Sequence, residues 1–281
     1  MKAKNIIIWM VISAMQLSCI DQIDLNLDSV DSQVVVYGWI TNEAKPYEIS
    51  VYYSNGYSDQ TGYPPLSGAS VYVTDQANNV FEFIEESKTG IYKSDTSTFK
   101  GIPGNSYRLT IQYGSEVYVS GIEEMPILSD VEDVFINFIA DPSEFEIESK
   151  DENFFISGFV NDDVKRSNFY RWKIFVNNEL RNLPEELVLF DDEFTNGNKF
   201  KFDAGNVLFT QSDQVSLEHM SLSLTAYNYF KNIKDQTSSS TLTPRIQPGI
   251  ILGNMINVND PQEQILGFFG ASEVKKIIVE N

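Results

Sequence analysis

Side chains that could carry out acid–base or nucleophilic catalysis are sparse in this sequence of 281 residues. His219 is the only histidine, and the Gly-x-Ser-x-Gly turn that presents a nucleophilic serine in many hydrolases does not occur. Because His219 lies within an alternating segment, residues 215–225, we expect a buried structural imidazole with its hydrogen bonds satisfied. One histidine excludes metal sites built on histidine pairs, and no EF-hand spacing is found, so no metal site is predicted.

Paired carboxylates are the other catalytic candidate, because glycoside hydrolysis uses two of them. The pairs that qualify by residue type are Asp162-Asp163, Glu185-Glu186 and Asp191-Asp192-Glu193. However, 40 acidic residues in 281 produce about this many adjacent pairs by chance. Neighbours on a strand also point to opposite faces of the sheet and cannot share a site. The sequence therefore predicts a protein that is not an enzyme, with no catalytic residues and no cofactor.

Aromatic residues offer binding rather than catalysis. Four tyrosines surround a loop rich in glycine and proline: Tyr52, Tyr53, Tyr57 and Tyr63. Aromatic faces stack on sugar rings or fill pockets of a partner, and loops of this composition are typical of adaptable binding surfaces. We take these four as candidate binding residues for a small molecule, a peptide or a glycan. The alternative is that they are ordinary aromatic residues of a β-sheet.

The thiol of Cys19, the only cysteine, is a candidate for acylation. Lys2 and Lys4 precede an apolar run at residues 6–12, and Ser18 stands directly before the cysteine. This order is typical of a secretory signal peptide, and the lone cysteine after it resembles that of bacterial lipoprotein precursors. We expect a signal peptide at 1–18, palmitate-type acylation of Cys19 and an acidic tether at 19–32. An ordinary secreted protein, cut elsewhere, is the alternative.

The length of the apolar run bears on how the protein is attached to a membrane, and the charge balance bears on which partners it can bind. The run is much shorter than the roughly 20 residues of a membrane-spanning helix, so acyl chains would provide the anchor. The formal net charge of −20 repels phosphate backbones and argues against nucleic acid as a partner. With Cys19 acylated no disulfide is available, so the 42% hydrophobic residues must supply the cores.

Short segments with period-2 alternation, separated by turn residues, predict a mostly β protein. In residues 47–53, Ile49, Val51 and Tyr53 share one face, and residues 170–176 alternate in the same way. Asn78-Asn79 and Asn196-Gly197 predict hairpin turns. Residues 226–235 place Ala226/Phe230 and Tyr229/Ile233 four apart, which predicts one short amphipathic helix.

Two domains are predicted within this β-rich chain, with the boundary at Met125-Pro126. PLSGASVYV at 65–73 and GIPGNSYRL at 101–109 resemble the immunoglobulin-like regulatory module of carboxypeptidases, a spacer or docking piece. The resemblance implies an immunoglobulin-like β-sandwich at 33–125. A second β-rich domain, with the short helix, is expected at 126–281.

Several further stretches, taken in order, resemble one family: NFYRW at 168–172, FDDEF at 190–194 with Asn196-Gly197, YNYFK at 227–231, GN at 253–254 and LGFFGAS at 266–272. Together with Cys-Ile-Asp at 19–21 and Gly-Trp-Ile at 38–40, they are similar to the lipoproteins called domain of unknown function 4249. Members are typically encoded beside SusC-like TonB-dependent outer-membrane transporters, and no functional residues of the family can be carried over.

The resemblance implies an outer-membrane lipoprotein, on the periplasmic face or the cell surface. It would act as a non-catalytic accessory or binding subunit of a nutrient-uptake system, with the transporter as its partner. A surface adhesin or structural assembly lipoprotein is the alternative, and a glycan hydrolase using the paired carboxylates is the third hypothesis.

Overall fold

The computed structural model describes residues 32–56, 62–95, 99–140, 152–162, 166–193, 195, 197–237 and 249–279. The predicted signal peptide, Cys19, Tyr57 and all but the last residue of the predicted tether lie outside these ranges. The described chain is mostly β, as predicted, with one α-helix.

The strands, in chain order, are β1 Val34–Thr41, β2 Glu48–Tyr53, β3 Ser70–Asp75, β4 Val80–Glu85, β5 Ile91–Ser94, β6 Ser106–Tyr113, β7 Glu116–Ser120, β8 Glu123–Glu124, β9 Asp130–Phe138, β10 Phe154–Asn161, β11 Phe169–Val176, β12 Glu179–Arg181, β13 Val188–Asp191, β14 Lys199–Asp203, β15 Val215–Leu222, β16 Met255–Asn257, β17 Leu266–Ser272 and β18 Val274–Val279. A 3-10 helix, Pro184–Glu186, precedes β13, and the helix α1, Leu224–Thr237, follows β15. The predicted helix at 226–235 is thus confirmed.

The first sheet has ten strands in the order β16-β7-β6-β3-β4-β5-β2-β1-β17, with β8 paired to β6. Alternation along each strand explains its two faces: Ile49 and Val51 of β2 are fully buried, and Tyr53 packs against the same core. The predicted turn at Asn78-Asn79 joins the paired strands β3 and β4, and Asp75 Oδ1 accepts from the Asn79 N–H at 2.9 Å.

Two smaller sheets, β14-β10-β9 and β12-β11-β15-β18 with β13 on β11, enclose a second core. Trp172 and Ile174 of β11 point into it, as the alternation of residues 170–176 predicts. The hairpin predicted at Asn196-Gly197 is wrong, because β13 before it pairs with β11 and β14 after it pairs with β10. The segment between β13 and β14 therefore connects two different sheets, and Asn196 itself lies outside the described residues.

Strands from late in the chain complete the first sheet. β17 runs parallel to β1, and Trp39 Nε1 donates to Ser272 Oγ at 3.1 Å across 233 residues of sequence. β16 extends the opposite edge by pairing with β7. Residues Ser32–Asn281 form one compact unit. The division into domains at 33–125 and 126–281 stays a prediction. Two strands that follow residue 126, β16 and β17, belong to the first sheet.

Helix α1 packs over the junction between the first sheet and β11. Ser223 caps the helix, since its Oγ accepts from the Ala226 N–H at 3.1 Å. Phe230 of the helix lies against Trp39 and Phe268, with a ring-centroid distance of 5.4 Å to Trp39. Among the described residues, no helix has the length and apolar character needed to cross a membrane.

Candidate functional site

Two of the predicted binding tyrosines lie together on the outer face of the first sheet. The ring centroids of Tyr52, on β2, and Tyr63 are 5.2 Å apart, and 66% of the Tyr63 surface is exposed. Tyr53 is the next residue on β2 and points to the other face, into the first core. Tyr57 lies outside the described residues. The structure thus brings Tyr52 and Tyr63 together and separates Tyr53 from them.

Two tyrosines that sequence reasoning missed extend this pair. Tyr37 on β1 is 45% exposed, and Tyr229 on α1 is partly buried. Burial raises the pKa of Tyr52, and the hydroxyls of Tyr63 and Tyr37 raise it further. Burial likewise raises the pKa of Tyr229, with Tyr37 and Tyr52 adding to it. The strand register places Tyr37 two residues beyond Val35, the partner of Tyr52, and opposite Phe268, whose ring lies 4.8 Å from that of Tyr229. We call this group the tyrosine surface: Tyr37, Tyr52, Tyr63 and Tyr229.

A pocket of about 280 Å³ opens beside the tyrosine surface and shares Tyr37 and Tyr229 with it. Two cationic side chains of β11, Arg171 and Lys173, line the pocket. Alternation along β11 places them there, because their neighbours such as Trp172 fill the second core on the opposite face. The other walls come from β12, the loop and 3-10 helix after it, and α1: Leu180, Asn182, Pro184, Leu187, Phe230 and Ile233. We call this space the cationic pocket.

Arg171 is only 5% exposed, which is rare for an arginine without a carboxylate partner. Its guanidinium carbon lies 4.3 Å from the ring centroid of Phe230, and it donates a hydrogen bond to Asn182 Oδ1. Burial lowers the pKa of Arg171, while Tyr37 and Glu218 act in the opposite direction. An arginine remains charged despite such a shift, because its usual pKa is above about 12.

Lys173 carries a second charge beside Arg171. Its Nζ lies 3.6 Å from Glu218 Oε2, and the lysine side chain is 25% exposed. Burial lowers the pKa of Lys173, and the like charge of Arg171 lowers it further. The pocket therefore holds two cationic side chains close to aromatic rings.

Two of the candidate catalytic carboxylates, Asp162 and Asp192, lie beside each other and share the Asn168 side chain, whose Nδ2 donates to Asp162 Oδ1 at 2.9 Å and to Asp192 Oδ2 at 3.4 Å, whereas Asp191 has a different partner. Tyr227 OH donates to Asp191 Oδ2 at 2.7 Å, whereas the Asn168 N–H donates to Asp192 Oδ2 at 2.8 Å. Burial raises the pKa of Asp192, the Asn168 N–H opposes this shift, and the nearby Asp162 carboxyl adds to it. Within the described ranges, no group of three or more His, Cys, Asp or Glu side chains is placed to hold a metal ion.

The remaining acidic candidates are dispersed. Glu185 and Glu186 lie in the 3-10 helix, where Glu186 Oε2 accepts from the Leu183 N–H at 2.9 Å. Glu193 follows β13, and its N–H donates to Asp191 Oδ1 at 3.3 Å. Asp163 lies outside the described residues.

Replacing Asp192 with asparagine is expected to keep the fold and to change its stability at pH 7 by no more than about 1 kcal/mol, in the stabilising direction. The amide keeps an acceptor for the Asn168 N–H and removes a buried charge that faces Asp162. The pKa of Asp192 in the folded protein is raised above its usual value of 3.8. The wild type therefore loses stability as the pH rises from 3.8 to the pKa of the folded state. Urea unfolding at several pH values measures the difference between the two proteins.

The matched control is Asp130→Asn, the same change of carboxylate to amide at a side chain that is 85% exposed. An Asp192→Asn protein that is less stable than the wild type at pH 7 would contradict the assignment and show that the ionised carboxylate is favourable.

His219 is fully buried between aromatic rings, as the sequence predicts. It stacks on Trp172 with an interplanar angle of 9°, and its Nε2 lies 3.1 Å from the Ser129 carbonyl oxygen. The expectation that both ring nitrogens are satisfied is wrong: Nδ1 has no partner in the described structure. Burial lowers the pKa of His219 to about 3, so the ring is neutral at pH 7.

The motif residues Gly253 and Asn254 lie against β17, at the edge of the first sheet. The Asn254 side-chain amide donates to the Phe269 carbonyl oxygen at 2.7 Å and accepts from the Phe269 N–H at 3.0 Å, which imitates the pairing of a strand. Glu123, which is 2% exposed, accepts from Asn254 Nδ2 at 2.9 Å and from Ser223 Oγ at 2.6 Å. Burial raises the pKa of Glu123, although both hydrogen bonds lower it. This motif therefore has a structural role.

Part of the site could have been found in the sequence. Arg171 and Tyr229 lie inside the motifs NFYRW and YNYFK, and alternation places Arg171 and Lys173 on the face opposite Trp172. No local pattern could have shown that Tyr37, about 190 residues away from Tyr229 in sequence, shares their surface.

Comparison with known proteins agrees with the motif evidence. Comparison with curated proteins gives no match. A family model described as "Domain of unknown function (DUF4249)" matches residues 20–278. This range includes all of the described strands except the final residue of β18. The chain therefore belongs to the family of proteins with the domain of unknown function DUF4249.

Proposed function

We propose that this protein is a lipid-anchored, non-catalytic binding subunit of a SusC-like TonB-dependent nutrient-uptake system at the outer membrane. The observation that carries the binding role is the cationic pocket, which adjoins four tyrosines on one surface. Concave sites lined by aromatic side chains with a few polar groups are the usual form of small-molecule sites. The signal-peptide pattern that ends at Cys19 supports the anchor, and the association of the family with transporters supports the partner.

We further propose that β1–β8 act as an immunoglobulin-like sandwich, resembling the regulatory module of carboxypeptidases, in a spacer or docking role. Support comes from eight successive strands whose connected pairs are all antiparallel. Their buried side chains, among them Ile49, Val73 and Leu109, belong to one core. β16 and β17 would then be additions that fasten this module to the rest of the chain.

The partner is tested by affinity purification of the tagged full chain from solubilised outer membranes. We expect a TonB-dependent transporter to be recovered in amounts comparable to the bait, because a docked subunit forms a stable interface. Recovery of the bait without any transporter would contradict the proposal and favour the adhesin or structural alternative.

The anchor is tested by Cys19→Ser. We expect this variant to lose incorporation of a palmitate analogue, because it lacks the thiol that is acylated, and to be released from membranes that lack the transporter. Ser18→Ala is the matched control, since it keeps a small residue before the cysteine and should remain labelled. Wild-type protein that is unlabelled and soluble would exclude the anchor.

A further inference from the structure

Arg171 makes no direct ion pair within the described part of the chain, although the Glu218 carboxylate acts on it from a greater distance. Among the described residues, its one hydrogen-bond partner is the neutral Asn182, and no ion pair joins it to a carboxylate. Its ring partner, Phe230, contacts the guanidinium with a ring-centroid distance of 4.3 Å and supplies no counter-charge. Removing an arginine from water without a counter-charge is costly, so a ligand that supplies the charge would be strongly favoured.

The carboxylate that acts on the two cations of the pocket is shared with a further lysine. Glu218 is shared by Lys173 at 3.6 Å and Lys276 at 3.4 Å. Glu43 is shared by Lys276 and, at 2.5 Å, Lys45. Of these charged groups only Arg171 and Lys173 line the pocket, and Glu218 is the carboxylate that acts on both of them. This local excess of positive charge occurs in a chain whose formal net charge is −20, and it therefore attracts anions to this one region.

Apart from Asn182 and the tyrosines at the border, the rest of the pocket is apolar. The side chains of Leu180, Leu187, Phe230 and Ile233 form its walls, and Tyr229 lies at its border with the tyrosine surface. The volume of about 280 Å³ has room for a ring or a short chain attached to a charged group. The planar fork of an arginine binds the two oxygens of a carboxylate or a phosphate through parallel hydrogen bonds.

We infer that the cationic pocket is the binding site for a small organic anion, with Arg171 and Lys173 holding its carboxylate or phosphate group and Phe230 and Ile233 contacting its apolar body. The inference names a ligand class for the binding role proposed above and rests on that role. Tyr37 and Tyr229 stand at the entrance and contact the part of the ligand nearest to solvent.

The test is calorimetric titration of the purified full chain in detergent micelles, with no transporter present. The probes are phenylacetate, phenyl phosphate and the neutral phenylacetamide, each with a blank titration into micelles alone. We expect at least one of the two anions to bind at one site, to bind at least tenfold more tightly than phenylacetamide, and to weaken as salt rises from 50 to 200 mM. Comparison of the two anions distinguishes a carboxylate site from a phosphate site.

Variants then locate the binding. Arg171→Met is expected to weaken anion binding at least tenfold, and Lys173→Met several-fold. Lys173 is the less buried residue, so its variant keeps the test valid if Arg171→Met does not fold. The matched control is Lys201→Met, because Lys201 also lies over an aromatic ring, 5.7 Å from the Phe135 centroid, but on another sheet.

The inference is overturned if neither anion binds, if phenylacetamide binds as tightly as the anions, or if the folded Arg171 and Lys173 variants bind like the wild type. Each of these results leaves the transporter pull-down unaffected. Conversely, if no transporter is recovered in the affinity purification but the anions still bind, the proposed partner is overturned and the pocket remains the anion-binding site.

Discussion

Gly253→Ala should prevent the native structure from forming or destabilise it by at least about 4 kcal/mol, a size reserved for severe steric conflicts. A Cβ atom at position 253 would lie 1.4 Å from the Gly267 carbonyl oxygen, far inside van der Waals contact. The obstacle is backbone rather than a flexible side chain, so relief would require β17 to move. β17 is held to β1 by seven paired positions, which makes such movement expensive.

Circular dichroism and urea unfolding of the purified variant measure this effect. Gly249→Ala is the matched control, because a Cβ at position 249 meets no atom within 4 Å and the residue is exposed. A Gly253→Ala protein with the same urea midpoint as the control would show that the edge of the sheet is far more adaptable than its contacts indicate.

Acid is expected to destabilise the wild type through His219 by about 2 kcal/mol between pH 7 and pH 5. The folded pKa of His219 lies near 3, below its usual 6.5, because burial disfavours the charged ring. The unfolded chain therefore binds the proton first. The corresponding stability is fully present above pH 6.5 and is lost as the pH falls towards 3.

His219→Gln separates this effect from other acid-sensitive groups, since the amide can still donate to the Ser129 carbonyl while it cannot titrate. The variant should be less stable at pH 7 but should lose much less stability than the wild type between pH 7 and pH 5. No second histidine titrates in this interval. Equal slopes for the two proteins in urea unfolding experiments would refute the buried neutral imidazole.

Glu43 is a second acid-sensitive group, and it affects stability at a lower pH than His219 does. Glu43 is partly buried, which would raise its pKa, but its hydrogen bonds to Lys45 and Lys276 lower it to about 2. Its contribution is present above the usual 4.5 and is lost as the pH falls towards 2. The comparison of His219→Gln with the wild type is therefore made above pH 5.

Local patterns in the sequence predict individual elements well and their assembly poorly. The alternation at 47–53 and 170–176 identifies β2 and β11 together with their buried faces, because burial of one face is a property of the strand itself. The helix at 226–235 follows from residues spaced four apart. Both signals depend on neighbours within one element.

Pairings between distant segments have no such local signal. Nothing in residues 266–272 indicates that they run parallel to β1, and Asn196-Gly197 looks like a hairpin turn although its flanking strands enter different sheets. The same limit applies to the site. Arg171 can be placed on the outer face of β11, but the aromatic and apolar walls of its pocket come from α1, β1 and the 3-10 helix, which only tertiary packing brings together.

The parallel pairing of β17 with β1 has a consequence for biosynthesis. The first strand of the sheet receives its final hydrogen-bonding neighbour only after almost the whole chain has been synthesised. Until then the edge of β1 remains an unpaired template that can accept a strand from another molecule. Contacts so remote in sequence form slowly, so newly made protein passes through a vulnerable interval that shielding by a chaperone would shorten.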